Sequence, residues 1–146
     1  MLLDKQWRNI MQVKSVMTQN ILSVQMDDSI GKIREILKAA KFHHLFVVEN
    51  KRLVGIISDR DMLRAISPFL NTLQETRRDL TVLDRRVHQI MSRKLVTVDR
   101  HTSIETAMKL LLDKNISCLP VVSPDGEIEG IVTWRDIIRA YLQIPK

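Results

Sequence analysis

Cysteine is almost absent. Cys118 is the single one in 146 residues, which excludes a disulfide framework and a cysteine-based metal cluster. Glycine is scarce as well, with four in the chain, and none of them forms part of a Walker-type phosphate loop, so hydrolysis on such a loop is excluded. Aromatic residues make up 4%, which leaves little to stack on single-stranded bases. No stretch approaches the ~20 unbroken apolar residues that a membrane span requires. The start, Met1-Leu2-Leu3-Asp4-Lys5, lacks the basic opening, long apolar run and small-residue cleavage site of a signal peptide. A reducing cytoplasm, with no membrane segment, is the expected setting.

What is present reads as globular. Hydrophobic residues are 45% and charged residues 27%, a composition far from that of disordered chains. This length suits one compact domain or two intertwined small ones, burying roughly 70% of the unfolded surface. The net charge of +6 permits nucleic acid, an acidic membrane surface or a phosphorylated small molecule as partner. The densest basic patches are only Arg77-Arg78 and Arg85-Arg86. Scattered arginines more commonly form a solvated face.

The chain is a duplicated unit. Val16-Met17-Thr18 matches Ile90-Met91-Ser92, Leu22-Ser23-Val24 matches Val96-Thr97-Val98, and Asp28-Ser29-Ile30 matches Thr102-Ser103-Ile104. Lys41 to Val48 matches Asn115 to Val122 at the same offset, which then grows by one residue across a turn. Each unit predicts a short extended piece (Ile21 to Val24; Leu95 to Val98) and an amphipathic helix. Ile30, Ile33, Ile36, Leu37 and Ala40 form one apolar face, and Ile104, Ala107, Met108 and Leu111 the other. Asp28 or Ser29 is the expected cap of the first helix, and Thr102-Ser103-Ile104-Glu105 reads as a capping box for the second. A hairpin follows, then a last helix from Asp59 to about Ile66 and from Trp134 to about Gln143. The expected fold is α/β (α+β): two β-α-β-β-α repeats whose sheets pack about a pseudo-twofold axis. The boundaries are 1–13 for an N-terminal helical segment, 14–66 and 88–143 for the repeats, and 67–87 for a connector. Trp7, Ile10 and Met11 mark the docking face of the first segment. Leu70, Leu73, Leu80 and Leu83 mark a connector that covers part of the domain or an interface.

One motif recurs at the end of each hairpin: Gly55-Ile56-Ile57-Ser58-Asp59-Arg60-Asp61 and Gly130-Ile131-Val132-Thr133-Trp134-Arg135-Asp136. A strand that meets a hydroxyl and then a helix aims backbone N–H groups at one spot, which suits an anion, and the aspartate suits a pair of sugar hydroxyls. The plainer reading is a helix cap of the Ser/Thr-x-x-acid kind. Glu or Gln is the usual third-position partner, and the shorter Asp in both copies tilts the balance toward a ligand.

With these residues in order twice, the chain resembles a tandem pair of cystathionine-β-synthase-type (CBS) domains from about Lys14 to Gln143, apart from the connector. The resemblance implies a free-standing regulatory module that binds an adenine nucleotide (AMP, ADP or ATP) or an adenosyl compound in clefts between the repeats. It also implies a homodimer. Carried over by position, Asp61 and Asp136 would hold ribose, and Ser58 and Thr133 would face phosphate, with Trp134 and Arg135 following the second hydroxyl. Adenine would lie against His43, His44 and Leu45, or Ser117, Cys118, Leu119 and Pro120. Ser23 and Thr97 would contribute from the early strands. No cofactor is required and no enzyme is expected.

The two copies differ in ways that bear on the site. Phe46 stands where the second repeat has Pro120, so the strand entries should differ. Asp59 beside a phosphate is unfavourable unless Arg60 or another cation offsets it. Trp134 at the matching position could shield a ligand, which ranks the Thr133/Asp136 site ahead. His43-His44 points to opposite faces of a strand and makes a poor metal site, and Cys118 reads as a small buried residue. Two alternatives stand beside the regulatory reading: a ligand-free dimeric scaffold, and a nucleic-acid binder using Arg77, Arg78, Arg85 and Arg86. An unidentified protein partner completes the regulatory reading.

Overall fold

The computed structural model describes residues 2–40, 42–66 and 72–143. They divide into two compact units, one of Leu22–Leu95 and the other of Met1–Ile21 with Val96–Lys146. The architecture is α/β, with a three-stranded and a two-stranded sheet.

In the first unit, β1 (Ser23–Val24) runs parallel to β2 (His44–Glu49), and β2 pairs antiparallel with β3 (Arg52–Ser58). The hairpin turns on Asn50 and Lys51, both at positive φ (49° and 66°), the geometry that lets a two-residue loop follow the twist of its strands. α2 (Ile30–Ala40) and α3 (Asp59–Ala65) cover one face. Ile30, Ile33, Leu45, Val47 and Ile57 are fully buried there, each worth about 1.5–3 kcal/mol of burial. The Ser29 hydroxyl accepts from the Lys32 N–H at 3.2 Å and so caps α2. Asp28 instead accepts from Gln25 N–H and pairs with Lys32.

The second unit repeats the plan with α6 (Ile104–Asp113), β4 (Cys118–Val122), β5 (Ile128–Thr133) and α7 (Trp134–Tyr141). Two expectations are corrected here. The expected extended piece Leu95 to Val98 forms no strand and keeps a single parallel bridge, Val98 to Val121. In the first unit, Phe46 N–H donates to Leu22 C=O at 3.1 Å. Pro120 occupies the equivalent position and has no N–H to donate, so that rung is missing. The cap of α6 also shifts by one residue: Ser103, not Thr102, accepts from Thr106 N–H. Thr102 turns its hydroxyl back to Asp99 N–H, and Glu105 pairs with Lys109.

The units do not follow the repeat boundaries. The segment leading into each repeat docks on the body of the other. Val13 N–H donates to Thr102 C=O, Ile104 N–H to Met11 C=O and Lys14 N–H to Arg100 C=O. At equivalent positions, Val87 N–H donates to Asp28 C=O, Ile30 N–H to Arg85 C=O and His88 N–H to Met26 C=O. Val13 and Val87 anchor these leads and are both 0% exposed. A second pair of bonds joins Thr18 to Ile131 and, equivalently, Ser92 to Ile56.

Outside the repeat, α1 (Leu2–Ile10) packs Trp7 on the second core, while Ile10 is exposed and not part of a docking face. Helical spacing set Ile10 beside Trp7, but the helix ends at Ile10 and the chain turns away. In the connector, α4 (Arg77–Thr81) and a short 3-10 turn, Val82–Asp84, lead into α5 (Val87–Ile90). Leu83 approaches Gly31 of α2 closely, whereas Leu73 and Leu80 face solvent. Leu70 lies outside the described residues.

Candidate functional site

Each hairpin ends at a corner where the last strand enters its helix. Strand register decides what stands beside it: His44 lies opposite Ser58, and Cys118 lies opposite Thr133. The residues expected on the adenine side are therefore neighbours of the expected phosphate-side hydroxyls within one sheet. Ser23 and Thr97 are exposed on the segments alongside, as are His43 and Ser117 before the strands, whereas Pro120 is buried.

The hydroxyl and the aspartate close on each other. Asp61 accepts from Ser58 N–H at 2.8 Å and from the Ser58 hydroxyl at 3.0 Å, while Ser58 Oγ accepts from Asp61 N–H at 3.2 Å. Thr133 and Asp136 make the same three bonds at 2.9, 3.0 and 3.2 Å. These are complete capping boxes. Thr76 and Asp79 form another at the start of α4, in the connector and outside the repeat. An Asp at the third position is long enough to close the box, so its shortness is no argument against capping. Any ligand role comes in addition to it.

The surroundings then separate the copies. Asp136 is 5% exposed, and its other oxygen accepts from the Thr18 hydroxyl at 3.1 Å. Asp61 is half-buried. Asp59 is hydrogen-bonded to His43, whose Nδ1 lies 3.0 Å from its carboxylate. That bond holds the Asp59 carboxyl below the usual carboxylate range. Burial pushes the pKa of His44 down and that of the Cys118 thiol up to about 11, so the thiol stays protonated and unreactive near neutrality. Trp134 lines an apolar cavity with Trp7, Met108, Ile137 and Tyr141, while Arg135 is exposed.

The motif glycines have a role that reading along the chain missed. A Cβ on Gly130 would stand 2.8 Å from the Thr18 carbonyl oxygen, and one on Gly55 would stand 2.6 Å from Met91 Sδ. Glycine is required because the Met-Thr and Met-Ser leads cross the strand there. The recurrence of both motifs was the available signal.

The family model for the CBS domain matches residues 13–68 and 87–143. The chain belongs to the CBS domain family. A CBS domain-containing protein of Dictyostelium discoideum is 32% identical over 134 residues, covering 90% of this chain and 92% of the relative. Among solved structures, this CBS pair is similar to CBSX2 in complex with AMP, at 33% identity and a TM-score of 0.75, covering 92% of this chain and 98% of that one. It is also similar to the CBS domain pair of MJ0100 in complex with 5′-methylthioadenosine and S-adenosyl-L-methionine. That match has 26% identity and a TM-score of 0.75, and covers 93% and 99% of the two chains.

Among the described residues of this CBS pair, no group of three or more His, Cys, Asp or Glu side chains gathers as a metal site. Among those same described residues, no helix is long and apolar enough to cross a membrane. Of the four connector arginines, Arg86 is engaged structurally, donating to Asp27 C=O at 3.1 Å.

Proposed function

We propose that this CBS pair is a regulatory module that binds an adenine nucleotide or adenosyl compound at its strand-to-helix corners and passes occupancy to a protein partner. The observation that carries the reading is the duplicated corner: hydroxyl, aspartate and strand neighbour recur with the same bonds in both units. A carboxylate can accept both hydroxyls of a ribose diol, and Ser58 or Thr133 can turn its hydroxyl toward phosphate. Similar CBS pairs solved with AMP or adenosyl compounds support the ligand class.

Primary occupancy belongs to the Ser58/Asp61 corner, reversing the order read from the sequence. Asp136 is enclosed and shared with Thr18, whereas Asp61 is half-buried and Asp59 is held by a hydrogen bond with His43. His44 would border adenine, and Cys118 takes that place in the second corner. The pair acts as a homodimer, supported by the exposed Leu63 and Ile138 at equivalent positions of the last helices. A cytoplasmic setting suits the free Cys118 thiol.

A thermal-shift series tests the reading. At a hundredfold excess over its dissociation constant, AMP, ATP or S-adenosylmethionine should add about 2.7 kcal/mol of stability, or roughly 5–10 °C. Asp61→Ala should abolish most of that shift, and Asp136→Ala less of it. A wild-type chain that ignores every adenosine compound would instead be a ligand-free scaffold.

A further inference from the structure

The two corners share a hydroxyl and an acid, and they differ by one charge. The residue after the hydroxyl is Asp59 in the first unit and Trp134 in the second. An exposed arginine follows in both, Arg60 or Arg135, so it cancels from the comparison. Ser58 and Asp61 close the first capping box between themselves, which leaves Asp59 for another purpose. Asp59 N–H donates to His43 C=O at 3.0 Å, and its carboxylate is hydrogen-bonded to His43 Nδ1 at 3.0 Å. Both side chains stay more than half exposed, 63% for His43 and 54% for Asp59. The bond to His43 keeps the Asp59 carboxyl ionised at neutral pH. His44, opposite Ser58 in the sheet, is within electrostatic reach of Asp59 and Asp61 alike. Two carboxylates thus flank Ser58. At the matching positions the second corner has Asp136, tied to Thr133 and Thr18, and the uncharged Trp134.

A ligand whose ribose is held by Asp61 brings its 5′ substituent to Ser58, the next residue to Asp59. Consecutive Cα atoms are about 3.8 Å apart, so that substituent stands inside the ~10 Å over which charges act on one another in dilute salt. A phosphate there is repelled by Asp59, a sulfonium is attracted, and an uncharged thioether is indifferent. A neutral imidazole that donates to the carboxylate leaves its negative charge in place. We propose, resting on the adenosine reading of the corners, that Asp59 is a specificity-determining residue of the first corner, selecting adenosyl compounds with an uncharged or cationic 5′ substituent over those that carry phosphate. The corner with Trp134 lacks this bias. Two corners of nearly equal shape thereby sort two classes of adenosine ligand by charge.

Calorimetric titration of the full chain tests this with AMP and 5′-methylthioadenosine, which share the adenosine and differ in charge at the 5′ position. S-adenosylmethionine serves as the cation. Titrations run at about pH 8, above the ordinary histidine range, on the wild type, Asp59→Asn and Asp61→Ala. Asparagine keeps the shape and an acceptor for His43 while removing the charge. The wild type should bind 5′-methylthioadenosine at least about threefold more tightly than AMP. Asp59→Asn should tighten AMP about threefold to tenfold, weaken S-adenosylmethionine by a similar factor and leave 5′-methylthioadenosine unchanged. Added salt should shrink the change for AMP, which a merely structural role would not produce. A wild type that prefers AMP, or equal effects of Asp59→Asn on all three ligands, would overturn the selection by Asp59; if Asp61→Ala still removes most binding, the corner reading survives that failure. Binding of none of the three, or binding undiminished in Asp61→Ala, would overturn both.

Discussion

In the unit that contains Gly130, the corner aspartate is 5% exposed and takes a bond from Thr18 on the incoming lead. In the unit that contains Gly55, Asp61 is half-buried, and no bond from the equivalent lead residue, Ser92, reaches it. The local geometry of the two capping boxes is otherwise nearly superimposable. One copy has its acid tied into the packing, and the other keeps an acid that water or a ligand can approach. A repeated motif thus fixes a shape twice, while the segment laid against it decides what that shape is available for.

The largest expected effect lies where the leads cross the strands. Gly130→Ala should destabilise its unit by about 3 kcal/mol, because the Thr18 carbonyl it would strike is backbone and cannot yield. Gly55→Ala should cost about 1 kcal/mol, since the closest atom is the flexible Met91 thioether. Urea denaturation measures both, and equal losses would show that the two crossings are equally rigid.

Next come the acids. Asp136→Ala removes a cap together with the part-buried bond from the Thr18 hydroxyl, for about 2 kcal/mol; Asp61→Ala loses mainly the cap, for about 1 kcal/mol. Thr18→Val sharpens the contrast. It should lower stability by roughly 1 kcal/mol and raise the AMP response of the second corner in calorimetry. If AMP binding were unchanged, the Thr18 bond would not be what separates the corners.

The smallest effect is in pH. His44 has its pKa lowered from 6.5 by burial, so below that value the unfolded chain takes up a proton that the folded chain resists. Stability is then full above pH 6.5 and falls as the pH drops through the lowered folded value. Asp59, lowered from 3.8 by its bond to His43, adds a further loss below about pH 4. His44→Gln should flatten the first decline in thermal melts from pH 7 to 5. The second unit has Cys118 at that position and should contribute no such slope.

Much of this was legible along the chain. The duplication, the hairpins and the helix faces follow from periodicities that bond geometry imposes locally, so Ile30, Ile33, Ile104 and Leu111 were identified as core without coordinates. The cap of α6 was misplaced by one residue because Thr102 and Ser103 both offer a hydroxyl, and only the backbone path through Asp99 separates them. The missing rung at Pro120 was half visible: proline marked a difference but not which bond would go.

The candidate corners show the same division. The residue types and spacing of Ser58-x-x-Asp61 and Thr133-x-x-Asp136 were written in the sequence, and so was their pairing of a hydroxyl with a carboxylate. That each lead docks on the other repeat's body was not, because the partners lie far apart along the chain and no local preference encodes which copy they meet. Burial of Asp136, the requirement for Gly55 and Gly130 and the turning of Trp134 into a cavity with Trp7 all follow from that exchange and from the packing of α1. Sequence alone determined what each corner is made of. Tertiary structure decided which corner stays open, because accessibility belongs to the surroundings of a side chain and not to the side chain itself.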